Sequence, residues 1–149
     1  NMKISKITFE EILPKWKLLW PGKKNILPVN ASVYLGGVDE SILASNPSYF
    51  GCYDKEELVG VISGYRSSVY QYRLRGVRVD EEHRGKGIST LLMEELEEQA
   101  LSENCNMLWT MARKNSLFAY KNFGFVQVSE FFTEGVEFGP NCYMRKRLE

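Results

Sequence analysis

The sequence contains one histidine, His83, and three cysteines, Cys52, Cys105 and Cys142, which are widely spaced, odd in number and without any C-x-x-C pair. That usage excludes a disulfide framework and predicts reduced thiols. Without paired Cys/His ligands a structural zinc site has no donor set, and no metal is expected. Net charge is also lacking: 19 basic residues balance 19 acidic ones. No global field therefore favours nucleic acid or an anionic membrane surface, and neither is expected as a partner. No stretch approaches the roughly 18 apolar residues of a membrane helix, and the N-terminus has no apolar run of signal-peptide length. A soluble, cytoplasmic protein is expected, with Asn1 ahead of Met2 read as a cloning remnant.

What is present is a chain of 149 residues, 44% hydrophobic and 26% charged. That is the size and composition of one compact domain spanning 1–149, long enough to bury roughly 70% of its unfolded surface without staples. Residues 3–8 alternate as a strand does, and 9–19 carry Phe9, Ile12, Leu13, Trp16 and Leu19 at helical spacing. That helix should stop near Trp20-Pro21-Gly22. Residues 22–37, containing Val33-Tyr34-Leu35, read as loop-rich. Residues 49–53 and 58–66 read as a hairpin across Asp54-Lys55-Glu56-Glu57, and 69–79 as a further strand in which Gly76 marks a bulge or a close backbone approach. Ile88, Leu91, Leu92, Leu96 and Ala100 form an apolar helix face. Strands at 106–111, 125–132 and 142–147, and a short helix at 116–122, complete the pattern.

The segment Val77-Arg78-Val79-Asp80-Glu81-Glu82-His83-Arg84-Gly85-Lys86-Gly87-Ile88-Ser89-Thr90 runs from strand through a glycine-containing loop into the most strongly patterned helix. At a helix start the first backbone N–H groups lack partners and the macrodipole places about half a positive charge there, which suits a pyrophosphate. Glycines let a phosphate approach the backbone, and Arg84 and Lys86 add positive charge. Counting separates the motifs that compete for this layout. A Walker A loop needs G-x-x-x-x-G-K-[ST], but Ile88 follows Gly87. A dinucleotide fingerprint needs G-x-G-x-x-G, but Thr90 stands at its third glycine.

The pattern that remains, R-x-x-G-x-[GA] after a V-x-V strand, resembles the acetyl-CoA site of the GNAT superfamily of N-acetyltransferases. Arg84 and Gly87 match it, and Ser89 stands at its small terminal position, where its hydroxyl or that of Thr90 is available to a phosphate. The segment 115–125 looks like the same family's N-x-x-A-x-x-[LF]-Y-x-x-x-G-F. Tyr120 and Gly124-Phe125 align, with Ser116 at the small position and Arg113 at the asparagine position, two residues before Asn115. Arg113 and Asn115 both stay open as cofactor contacts. The resemblance implies an α+β, three-layer α/β/α fold: a mixed, mostly antiparallel sheet of about six to seven strands, with splayed parallel central strands and flanking helices. It also implies acetyl-CoA as co-substrate. The backbone of Val77, Arg78 and Val79 would pair with the pantetheine amides like an added strand. Arg84, Gly85, Lys86, Gly87, Ile88, Ser89 and Thr90 would hold the pyrophosphate.

The function so implied is acetyl transfer to a primary amine, on a small molecule or a peptide, by direct attack in a ternary complex, since no cysteine lies near either motif to form an acyl-enzyme. An alternative is a non-catalytic module that binds or senses acyl-CoA. A homodimer is compatible with the resemblance. A lysine-like amine of pKa about 10.4 is neutral in roughly one molecule in 2,500 at pH 7, so a base or a proton-conducting path is needed. Asp80, Glu81, Glu82 and His83 are close in sequence, though charge clusters in turns are ordinarily solvated. Tyr120 resembles the family tyrosine beside the departing sulfur. A phenol of pKa about 10 would reach a thiolate of about 8.5 only uphill, by roughly 2 kcal/mol, so hydrogen-bond donation is expected rather than full proton transfer. A backbone N–H near Val79 is expected to polarise the carbonyl. Trp16, Trp20, Tyr34, Tyr70 and Tyr72 are aromatic candidates for an acceptor pocket or for the core.

Overall fold

The computed structural model describes residues 1–29 and 46–148. Among these residues seven strands form one sheet in the order β1-β2-β3-β4-β5-β7-β6: β1 (Met2–Lys6), β2 (Ser48–Asp54), β3 (Glu57–Arg66), β4 (Gln71–Val79), β5 (Met107–Arg113), β6 (Val126–Gln127) and β7 (Asn141–Arg147). Every neighbouring pair is antiparallel except β4 with β5. Three α-helices accompany it among the described residues: α1 (Phe9–Leu19), α2 (Ile88–Ser102) and α3 (Leu117–Asn122).

The helices pack on both faces because the strands alternate. Val61 joins Ile7, Ile12 and Trp16 in a cluster under α1, whereas the next residue, Ile62, joins Tyr72, Leu74, Leu92, Leu96 and Tyr120 in the larger core under α2 and α3. Helix α1 begins with a complete capping box: Thr8 accepts from the Glu11 N–H and Glu11 accepts from the Thr8 N–H. Pro14 lies inside it and removes one intrahelical bond, yet the helix is held by the burial of Ile12 and Trp16. In α2 the buried face is Ile88, Leu92, Met93, Leu96 and Ala100. Leu91, expected on that face, is 40% exposed, because the stripe is centred further round the helix and takes Met93 instead.

Two irregularities shape the middle of the sheet. Between Val61 and Ser63 of β3 the register slips, so that Ile62 faces both Gly76 and Val77, and Gly76 has φ +71°. This is the bulge that the glycine foretold. Strands β4 and β5 then pair only over Gln71–Arg73 and Met107–Trp109. Beyond that point they splay, with Thr110 Oγ1 donating to the Leu74 carbonyl at 2.9 Å at the root of the gap.

The strand expected over 125–132 is shorter, two residues with an isolated bridge from Phe132 to Asn141. The Tyr143 N–H donates to Ser129 Oγ at 2.8 Å, so a side chain takes the place of a ladder carbonyl and interrupts the pairing. The segment containing Val33, Tyr34 and Leu35 lies outside the described residues.

Candidate functional site

The splay opens a groove of about 510 Å³ that runs from β4 to the start of α2. Backbone polarity follows from register. The Asp80 N–H donates to the Val59 carbonyl at 2.8 Å, so Asp80 faces β3. Alternation along the ladder turns the N–H and C=O of Val79 the other way, into the gap. The Val79 carbonyl accepts there from Arg84 Nε at 3.0 Å, which ties the loop arginine back onto the strand.

The far end of the groove is the N-terminus of α2, and its chemistry differs from that of α1. Its N-cap is Gly87, in the left-handed region with φ 77°, with no side-chain cap and no acidic residue in the first turn. A Cβ on Gly87 would meet nothing within 4 Å, so it is the backbone angle that calls for glycine. The first N–H groups of a 15-residue helix are thus left to an outside acceptor, backed by the macrodipole.

Tyr120, on α3, joins this groove to a second, smaller pocket of about 140 Å³. Leu19, Val77, Arg113 and Ser116 also line both. Tyr120 is 4% exposed and packs edge-on against Phe125 at 5.2 Å. Burial pushes its pKa up to about 12, a rise partly offset by a hydrogen bond with Thr110 and by the charges of Arg73 and Arg113. At that value the phenol is a hydrogen-bond donor across the physiological range.

The sequence matches the model of the acetyltransferase (GNAT) family over residues 10–125. The chain belongs to the GNAT acetyltransferase family. Solved structures of similar fold include Ard1 from Thermoplasma volcanium, 16% identical, with a TM-score of 0.76 over 99% of this chain and 98% of that one. Also similar are an aminoglycoside 6'-N-acetyltransferase complexed with coenzyme A (16% identical, TM-score 0.70, covering 97% and 96%) and a GNAT family acetyltransferase from Elizabethkingia anophelis with acetyl-CoA bound (15% identical, TM-score 0.65, covering 99% of each chain). No curated protein matches the sequence.

Most of the residues singled out by the two GNAT motifs converge on the groove. Val77, Arg78 and Val79 line it from β4, and Arg84, Gly85, Gly87, Ile88 and Ser89 line it from the loop and the first turn of α2. Asn115 and Arg113 both line it. Lys86 and Thr90 are exposed and off the groove.

The acidic turn residues do not gather at the small pocket. Glu81 and Glu82 are exposed. Asp80 is held by Lys15 at 2.8 Å and by Arg78; burial opposes its ionisation, but these two cations outweigh it and hold its pKa below the usual carboxylate value. His83 lies on the groove with Nε2 3.3 Å from Asp54 Oδ2.

Of the aromatic candidates, Trp20 lines the small pocket. Tyr72 donates to Glu103 in the core and Tyr70 is exposed, both away from it. Trp16 is fully buried and donates to the Gly76 carbonyl at 2.9 Å, which anchors the bulge.

Sequence reasoning missed the residues that give the small pocket its charge: Lys23, Arg73, Arg75 and Glu137. A signal was available in β4, whose Gln-Tyr-Arg-Leu-Arg stretch puts two arginines at alternate positions of a central strand, where apolar residues are the rule.

Proposed function

We propose that this chain transfers the acetyl group of acetyl-CoA to a primary amine by direct attack within a ternary complex. The observation that carries the reading is the continuity of the two cavities through Tyr120: a groove with an uncapped helix start at one end meets a separate pocket at the splayed strands. A module that only sensed acyl-CoA would have no use for the second pocket, and its junction with the groove at a buried phenol favours catalysis.

Acetyl-CoA is the co-substrate and supplies a thioester whose carbonyl is open to nucleophiles. The residues present suit it. The first turn of α2, free of acids, and the guanidinium of Arg84 would take the pyrophosphate, with Gly85, Gly87 and Ser89 alongside. The gap-facing backbone of Val77 and Val79 would pair with the pantetheine amides, with Arg78 between them. Val79 lines only the groove, with its carbonyl held by Arg84, whereas Val77 lines both cavities, so the Val77 N–H rather than one at Val79 is the donor suited to the carbonyl oxygen as negative charge develops on it.

The amine must attack as the neutral base. Its lone pair forms the C–N bond, the C–S bond breaks, and the proton lost by nitrogen balances the one gained by sulfur, giving the acetamide and free CoA. Tyr120 would donate a hydrogen bond to the departing sulfur. Full transfer of its proton, from a pKa of about 12 to a thiol of about 8.5, would cost about 5 kcal/mol. The buried phenol is therefore a stabilising donor more than an acid.

The test is Tyr120→Phe, measured as CoA release with an accepted amine beside calorimetric affinity for acetyl-CoA. We expect kcat to fall at least tenfold with acetyl-CoA affinity within a factor of two. An unaltered kcat would remove the hydroxyl from the mechanism.

A further inference from the structure

The small pocket is strongly cationic. Lys23, Arg73, Arg75 and Arg113 line it against one carboxylate, Glu137, which Lys23 already holds at 2.6 Å. Arg73 is only 6% exposed; it stacks on Trp109 at 5.0 Å, and its Nε and Nη1 are buried without a hydrogen-bond partner among the described residues. Arg75, 5% exposed, is stacked against Trp16 at 4.7 Å and Trp20 at 4.8 Å and donates to the Leu27 carbonyl at 2.8 Å. Among the described residues neither guanidinium is paired with a carboxylate.

Burying two like charges side by side with no counter-ion among the described residues is costly. Burial first, then the neighbouring Arg73, lowers the pKa of Arg75 to about 10, a value at which it still carries its charge at neutral pH. A bound anion would relieve both the desolvation and the repulsion, and guanidinium groups are suited to carboxylate and phosphate oxygens.

We propose that the acceptor amine bears an acidic group, a carboxylate or a phosphate, which enters the 140 Å³ pocket and pairs with Arg73. The proposal rests on the acetyltransferase reading and narrows it to small anionic amines. The same field acts on the nucleophile. A cationic pocket disfavours an ammonium and lowers the pKa of the bound amine, so it raises the fraction in the neutral form that attacks. Acceptors with several positive charges, such as polyamines, meet this field with the wrong sign. The chemical step is unchanged: the C–N bond forms as the C–S bond breaks, and the proton count balances between nitrogen and sulfur.

The experiment compares matched amines on the wild-type protein with acetyl-CoA: amino acids against their amides, phosphoethanolamine against ethanolamine, and spermidine. CoA release and protection from thermal unfolding are both read. At least one anionic amine should exceed its neutral analogue tenfold or more in kcat/KM or in binding, although the amide has the less basic amine and would win on nucleophile fraction alone. The amino-acid and phosphate arms separate the two anions. Arg73→Met should raise KM for the anionic acceptor at least tenfold with acetyl-CoA affinity unchanged, and Arg73→Lys should recover part of it. Equal or better use of spermidine or of the neutral analogues, or no anionic preference in either readout while acetyl-CoA binds, overturns the proposal and leaves the acetyltransferase reading intact. Failure of acetyl-CoA itself to bind overturns that reading instead.

Discussion

Gly76 is the residue on which the geometry of the central strand turns. Its φ of +71° is a left-handed angle, and a Cβ there would lie 2.2 Å from Trp16 Nε1. The glycine therefore serves the bulge and the helix seated on it at once. We expect Gly76→Ala to lose about 2 to 5 kcal/mol, the sum of about 1 to 2 for the backbone angle and about 1 to 3 for overpacking. Denaturant unfolding would measure it, and a loss under 1 kcal/mol would mean that Trp16 is free to move. Sequence alone marked Gly76, because a glycine inside a strand pattern has few other uses. It did not disclose Arg73 and Arg75, since a charge within a strand reads as solvent-facing until the helix that covers it is known. Here Trp16 of α1 and Trp20 just beyond it close over Arg75.

At the scale of elements, the two longer helices divide capping differently. Helix α1 satisfies its own N-terminus with Thr8 and Glu11 and adds acids in its first turn. Helix α2 has neither a side-chain cap nor a first-turn acid. Placing an acid there should act in opposite directions on two observables. Ser89→Asp should stabilise the free protein by about 0.3 to 1 kcal/mol through the macrodipole, and should weaken acetyl-CoA binding at least tenfold through repulsion of the pyrophosphate. Thermal unfolding without ligand and calorimetry with it read the two signs; a variant that keeps full affinity would move the phosphate site elsewhere. The limits of α1 and the start of α2 were legible in the sequence, because apolar spacing agrees with Trp20-Pro21-Gly22 at the end of the first and with Gly87 ahead of the second. Strand β6 was not, because the switch from a backbone partner to the Ser129 hydroxyl leaves no mark in hydrophobic pattern.

For the whole molecule, the family resemblance carried by the two motif segments implied a mixed sheet with splayed central strands, and the observed order, with β4 and β5 parallel and parting after Arg73 and Trp109, has that form. The residues that line the groove were legible because they lie within short contiguous segments. The smaller pocket was not, since it is assembled from the end of α1, the middle of β4 and the loop carrying Glu137, and only the fold brings these together.

Calorimetric titration of the purified protein with acetyl-CoA tests whether the groove between β4 and the start of α2 takes the cofactor. One site per chain with micromolar affinity is expected, with a thermal stabilisation of about 2.7 kcal/mol at a ligand concentration one hundred times Kd. No heat of binding and no thermal stabilisation at millimolar acetyl-CoA would contradict it.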